Sequence, residues 1–285
     1  GAMQSMYEQT FGEPRYRPHP IQIQKVQQGT LGRKTGSGFY QYGDEPSPDY
    51  VPQTPKPGKA DGFLIASKGT WAPGFVELCA EKGYTVASAF NEDQPVTACL
   101  IVAGRYEGLD ERVRLHESSL PPDVPLLVQA ADITIAEVAT WLHHPQRLVG
   151  FDGLFLSNAS MITLTPSPVL AEQIKNKTIH LFENLGLSSI WVKDSPALVL
   201  PRILAMLVNE AAFAHLEGVG DADTIDKAMR LGVNYPHGPL EWGNQIGYGR
   251  IVAILDHLRR EYGEERYRAC VLLRRWARKE GMKEP

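Results

Sequence analysis

The sequence predicts an α/β segment followed by an all-α segment. Three observations predict it. Short apolar runs alternate with helical patterns across residues 60–192, and every pattern across 193–285 has helical spacing. A stretch at 45–59, rich in proline and nearly devoid of apolar residues, separates both from what precedes them.

Composition bounds the rest. Of 285 residues, 43% are hydrophobic and 22% charged, which excludes disorder over most of the length. A net charge of −4 leaves no electrostatic footprint for nucleic acid or for an anionic membrane. Cys79, Cys99 and Cys270 lack CxxC or Cys/His spacing, so the sequence predicts a reduced, cytoplasmic chain without a metal site. The most apolar stretch, 197–216, contains Pro201, Arg202, Asn209, Glu210 and His215. It therefore reads as a buried helix rather than a membrane span. No secretory signal is legible, and Gly1-Ala2-Met3 reads as an expression scar on a cut-down chain.

The elements follow in order. Residues 4–30 read as the end of a helical region broken by Pro14, Pro18 and Pro20, with Ile21, Ile23 and Val26 giving a stripe that ends near Gly29. A glycine-spaced basic turn follows, from Gly32 to Tyr40. Strands are expected at 63–66, 84–87, 99–103, 125–128 and 154–156, and helices at 75–82, 133–142 and 178–185. Beyond 196, helices are expected at 198–217, at 223–232 with Asp223 as cap, and at 239–246, 250–262 and 264–279.

The chain also repeats itself. Phe11-Gly12-Glu13-Pro14-Arg15-Tyr16-Arg17 matches Tyr262-Gly263-Glu264-Glu265-Arg266-Tyr267-Arg268 at five of seven positions, which predicts a duplicated unit.

Three segments carry a family resemblance. Gly32-Arg33-Lys34-Thr35-Gly36-Ser37-Gly38-Phe39-Tyr40 resembles the signature closing the helical domain of 3-hydroxyacyl-CoA dehydrogenases. Lys193-Asp194-Ser195-Pro196 with Arg202 resembles the start of that domain, and Gly232-Val233-Asn234-Tyr235-Pro236-His237-Gly238-Pro239 resembles its central turn. The chain is thus similar to the back half of a long bacterial 3-hydroxybutyryl-CoA dehydrogenase that lacks its NAD-binding domain. The resemblance implies four segments: 4–44, the tail of a first helical domain; 45–59, a linker; 60–192, a reduced Rossmann-like domain; and 193–285, a second helical domain.

The resemblance also says where chemistry would sit. A dinucleotide turn needs glycines that let pyrophosphate approach backbone N–H groups, and an acid for the ribose. Here the turn reads Ser67-Lys68-Gly69-Thr70-Trp71-Ala72, followed by Pro73, and Phe90 stands where the acid would be. The family's base is a histidine oriented by a glutamate, with an asparagine and a serine holding substrate. The histidine position falls on Asp152 or Gly153, the glutamate on Thr165, the asparagine on Pro201, and the serine region on Gln129-Ala130-Ala131-Asp132.

Other polar residues read as structural. His143-His144 is expected to cap a helix end, His237 to brace the Pro-bounded turn, and His215 to sit satisfied in the core. The cations Arg259, Arg260, Arg266, Arg268, Arg274, Arg275, Arg278 and Lys279 read as a solvated face, with a coenzyme A phosphate site as the alternative. Arg33 and Lys34 suit docking or pinning of their own turn.

The expectation is therefore a chain with no catalytic, cofactor or metal residues of its own. NAD and acyl-CoA would belong to the parent enzyme, the missing N-terminal dehydrogenase domain would be the partner, and a homodimer is expected. Two alternatives stand: an acyl-CoA- or nucleotide-binding module near Gly69, or an enzyme with a relocated site at Glu107, His143 or His144.

Overall fold

The computed structural model describes residues 2–42, 62–66, 75–87, 90, 95–101, 108–154 and 159–282. The linker at 45–59, the turn at 67–73 and Glu107 lie outside the described residues. The chain divides into two compact units.

The first unit joins residues 1–52 to 264–268. It holds α1 (Ala2–Gln9) and α2 (Pro20–Gln27), with a 3₁₀ turn at Pro14–Tyr16 between them. Helix α2 begins where Pro20 fixes the first φ and the His19 ring accepts from the Ile21 amide at 3.3 Å. The basic turn is braced internally. Lys25 Nζ donates to Gly38 O at 2.8 Å and lies over the Phe39 ring, while Arg33 lies over Tyr42.

The second unit, 53–263 with 269–285, is a sheet followed by helices. The strands are β1 (Gly62–Ala66), β2 (Tyr84–Ala87), β3 (Val96–Ile101), β4 (Leu126–Gln129), β5 (Leu148–Phe151), β6 (Met161–Pro166) and β7 (Ser188–Trp191). They pair in the order β2-β1-β3-β4-β5-β6-β7, parallel except at the β5–β6 step. Period-two alternation splits the core. Leu100, Leu127 and Val149 pack on one face with residues of α3 (Phe75–Glu81) and α6 (Glu172–Asn184). Cys99, Ile101, Leu126, Val128 and Leu148 pack on the other with α4 (Leu109–Ser119) and α5 (Ile135–Ala139).

The helical half comprises α7 (Leu200–Leu216), α8 (Ala222–Val233), α9 (Pro239–Ile246), α10 (Tyr248–Tyr262) and α11 (Val271–Gly281). The central turn has a clear physical basis. The Asp226 carboxylate accepts from the Leu240 and Glu241 amides at 2.8 and 2.9 Å, capping α9 from α8. Gly238 leaves the room, since a Cβ there would lie 2.2 Å from Asp226 Cβ.

Several sequence expectations are corrected. A strand not anticipated from the sequence lies at Leu148–Phe151, where Leu148 and Val149 feed opposite cores; of the strand expected at 154–156, residues 155–156 lie outside the described residues. The 99–103 strand begins earlier, at Val96. Strands β6 and β7 were not anticipated, since threonines and serines interrupt their apolar runs. Helix 133–142 shrinks to Ile135–Ala139, with Thr134 as its cap. The cap of α8 is Asp221, whose Oδ1 accepts from the Thr224 amide at 2.7 Å, rather than Asp223. The helix expected at 264–279 is broken: Glu265–Tyr267 forms a 3₁₀ turn that clusters with the first unit, and α11 starts at Val271.

Candidate functional site

Strands β4 and β5 end side by side, Gln129 opposite Phe151. Ligands of such sheets bind beyond the carboxyl ends of the strands. The structure brings two of the four predicted site positions together at this edge. Gln129 is buried, and its Nε2 donates to Asp152 O at 3.3 Å and Gly153 O at 3.0 Å. Its Oε1 accepts from the guanidinium of Arg250 on α10.

Neither candidate for the base position is free to act. Gly153 has φ +51°, and a Cβ there would stand 2.5 Å from Phe151 Cε2 and 3.1 Å from Gln129 Nε2. The backbone at 153 therefore has no room for any side chain. The Asp152 carboxylate is buried and accepts from the Gly153 amide at 2.8 Å. Burial pushes its pKa up, opposed by the hydrogen bonds from Gly153 and Thr163. Burial also raises Asp132, opposed by the charges of Arg250 and Arg260. Arg250 is lowered by the same desolvation and raised by Asp132. The arrangement is a mutually satisfied polar cluster that holds the 152–153 turn to β4. Among the described residues it contains no nucleophile hydrogen-bonded to a base.

The other two positions do not join the cluster. Thr165 sits on β6 opposite Gly150, fully buried beneath it, with its hydroxyl unpartnered. Pro201 is buried in the first turn of α7 and has no side-chain donor. Phe90 packs against the core beside β3 and β4 and offers no acceptor to a ribose.

The remaining candidates have structural roles or lie elsewhere. Asp194, from the motif that precedes α7, caps α5: its oxygens accept from the Ile135 and Ala136 amides at 3.2 and 2.7 Å. Arg202 donates to Pro196 O at 2.6 Å and to the Tyr262 hydroxyl at 2.9 Å. His237 pairs with Glu241 at 2.9 Å. His215 Nδ1 lies 3.0 Å from Gly220 O, and its ring stacks on Trp276. His143 and His144 are not at a helix end, because α5 stops at Ala139; the His144 amide donates instead to the buried Glu117 at 2.6 Å. Four of the eight C-terminal cations have these partners: Arg274 with Asp256, Arg266 with Glu264, Arg268 with Glu13 and Arg260 with His257. Sequence reasoning missed Arg250. Its signal was the seven-residue spacing to His257 on one helix.

Fold and motifs together point to one class: the chain is similar to 3-hydroxyacyl-CoA dehydrogenases, and in part to that family's C-terminal domain. The model of "3-hydroxyacyl-CoA dehydrogenase, C-terminal domain" matches residues 1–42 and 198–284. Among particular relatives, the chain is 42% identical over 273 residues to 3-hydroxyadipyl-CoA dehydrogenase of Escherichia coli, a match covering 96% of this chain and 46% of the relative. It is 30% identical over 180 residues to a probable 3-hydroxybutyryl-CoA dehydrogenase of Bacillus subtilis, covering 62% of each. A crystal structure of 3-hydroxybutyryl-CoA dehydrogenase from Escherichia coli superposes with TM-score 0.66 at 28% identity, over 99% of this chain and 48% of that one. The chain thus spans about half the length of the Escherichia coli relatives. The Ralstonia eutropha (S)-3-hydroxybutyryl-CoA dehydrogenase, at 20% identity and TM-score 0.64 over 76% of this chain and 93% of that one, shares the fold.

Proposed function

We propose that this chain is the non-catalytic C-terminal part of an NAD-dependent 3-hydroxyacyl-CoA dehydrogenase, and that its role is assembly. The observation that carries the reading is a reciprocal pair of ion bridges in the first unit. Glu13 pairs with Arg268 at 3.3 Å, and Arg17 pairs with Glu264 at 3.4 Å. In the internal repeat Glu13 corresponds to Glu264 and Arg17 to Arg268, so each copy presents the same two residues to the other. Residue i meeting j while j meets i is the pattern of a two-fold interface between identical surfaces. The match of one family model to both segments supports two copies of one domain type.

On this reading the two repeat segments within the first unit pair as identical surfaces would, and the chain supports the acyl-CoA cleft of the catalytic part. NAD and the hydride step belong to that catalytic part. The polar cluster around Gln129, the closed position at Gly153 and the apolar setting of Phe90 support this reading for the described residues. The full protein acts in the cytoplasm as a homodimer on acyl-CoA. No helix among the described residues is long and apolar enough to cross a membrane.

An NAD-linked assay with 3-hydroxybutyryl-CoA tests this. The expected result is turnover by a longer chain carrying an upstream dehydrogenase part and none by these 285 residues. Turnover by these residues alone overturns the proposal. Saturable binding of coenzyme A or NAD to them would favour an independent binding module.

A further inference from the structure

The second unit contains a feature that the assembly reading does not use. Arg250, His257 and Arg260 lie at spacings of seven and three on α10, within about 80° of one another around the helix. This stripe meets residues from three separate segments. Arg250 donates to Gln129 at the end of β4. Arg250 and Arg260 both act on the charge of Asp132, just beyond β4. His257, 3% exposed, lies 2.8 Å from the Arg260 guanidinium and within electrostatic reach of Glu137 on α5 and Asp194 after β7. The flanking positions Ile251, Ile254, Leu255 and Leu258 are all buried. The apolar positions and this stripe thus lie on adjoining sides of α10, with Arg250 on Gln129 and Arg260 on His257 and, at 3.2 Å, on Glu261. Its buried part is costly to leave half-made, because removal of the Arg250 guanidinium strands the amide oxygen of the buried Gln129.

We propose that α10 is a charged clasp that holds the helical half of this unit shut on the carboxyl edge of β4 and β5, with Arg250 filling the space beyond Gln129 that a ligand of that edge would need. In effect Arg250 replaces a ligand with a permanent internal contact. The turn at Asp152–Gly153 is held by the same Gln129 amide, so opening the clasp releases the turn as well.

The test uses the 285-residue chain, with R250M, Q129L and the double variant compared by thermal unfolding and native-state hydrogen exchange. Each single change should lower Tm, and the double variant should lose less than the sum, because both single losses include the one Arg250–Gln129 contact. Exchange at amides 129–132 and 152–153 should rise together by about tenfold or more in R250M. Additive losses in Tm, or unchanged exchange at that edge, overturn the clasp. Should the variants fail to fold, exchange in the unaltered chain decides. Opening of α10 and of the strand edge in one shared step supports the proposal, and opening in separate steps refutes it.

Discussion

Placing a histidine at Gly153, one of the two positions the resemblance gives for the base, is the sharpest test of the non-catalytic reading. The residue has φ +51°, in the left-handed region, where a side chain costs roughly 1–2 kcal/mol. Its Cβ would overlap the Phe151 ring at 2.5 and 2.8 Å. That ring cannot easily retreat: Phe151 is fully buried and leans on Phe182, with ring centroids 6.4 Å apart. Overpacking of this kind costs about 1–3 kcal/mol. G153H should therefore destabilise the chain by about 2–5 kcal/mol, and G153A should carry most of that cost. Urea unfolding of both variants measures it, alongside the NAD-linked assay with 3-hydroxybutyryl-CoA. No gain of turnover is expected. A G153H variant as stable as the parent would refute the steric argument, and a catalytically active one would refute the non-catalytic reading.

Three other expectations concern the rest of the molecule. Reversing one charge with E13R should cost about 0.5–1 kcal/mol, since both repeat pairs are half-exposed and screened, and adding R268E should recover most of it; a double swap no better than the single would contradict reciprocal pairing. The buried Asn209 accepts from the Cys270 amide at 2.8 Å where α11 begins, so N209L should lose about 1–3 kcal/mol in chemical denaturation, and a neutral result would deny that this bond anchors α11. Burial and the Arg260 charge hold the His257 pKa below its ordinary 6.5, so the unfolded chain takes up this proton first and stability should fall as pH drops through 6.5. H257Q should flatten that part of the profile; an unchanged slope in Tm against pH would assign it to other groups.

Much of the fold was legible because hydrophobic periodicity is a local property. The run at 84–87 and the helices at 200–216 and 239–246 show their pattern within a few residues. Strands β6 and β7 were not, because Thr163, Thr165, Ser188 and Ser189 blur their alternation, and their place depends on pairing with β5 and with each other. The break at Arg268–Cys270 was equally hidden. Residues 264–268 have the composition of a helix start, yet their contacts lie with the first repeat copy.

The candidate site divides in the same way. Residue identity alone removed imidazole from the base position and the amide from Pro201, because a side chain's chemistry does not depend on its surroundings. The repeated seven-residue motif was also visible, as it is a property of the string. Only the tertiary structure decided what stands beyond the carboxyl end of β4, since Arg250 is 121 residues from Gln129. Only it set Glu13 against Arg268 and Glu264 against Arg17, turning a repeated motif into reciprocal contacts. Pairings at that separation follow from how the chain closes its long loops, and no local window of sequence contains them.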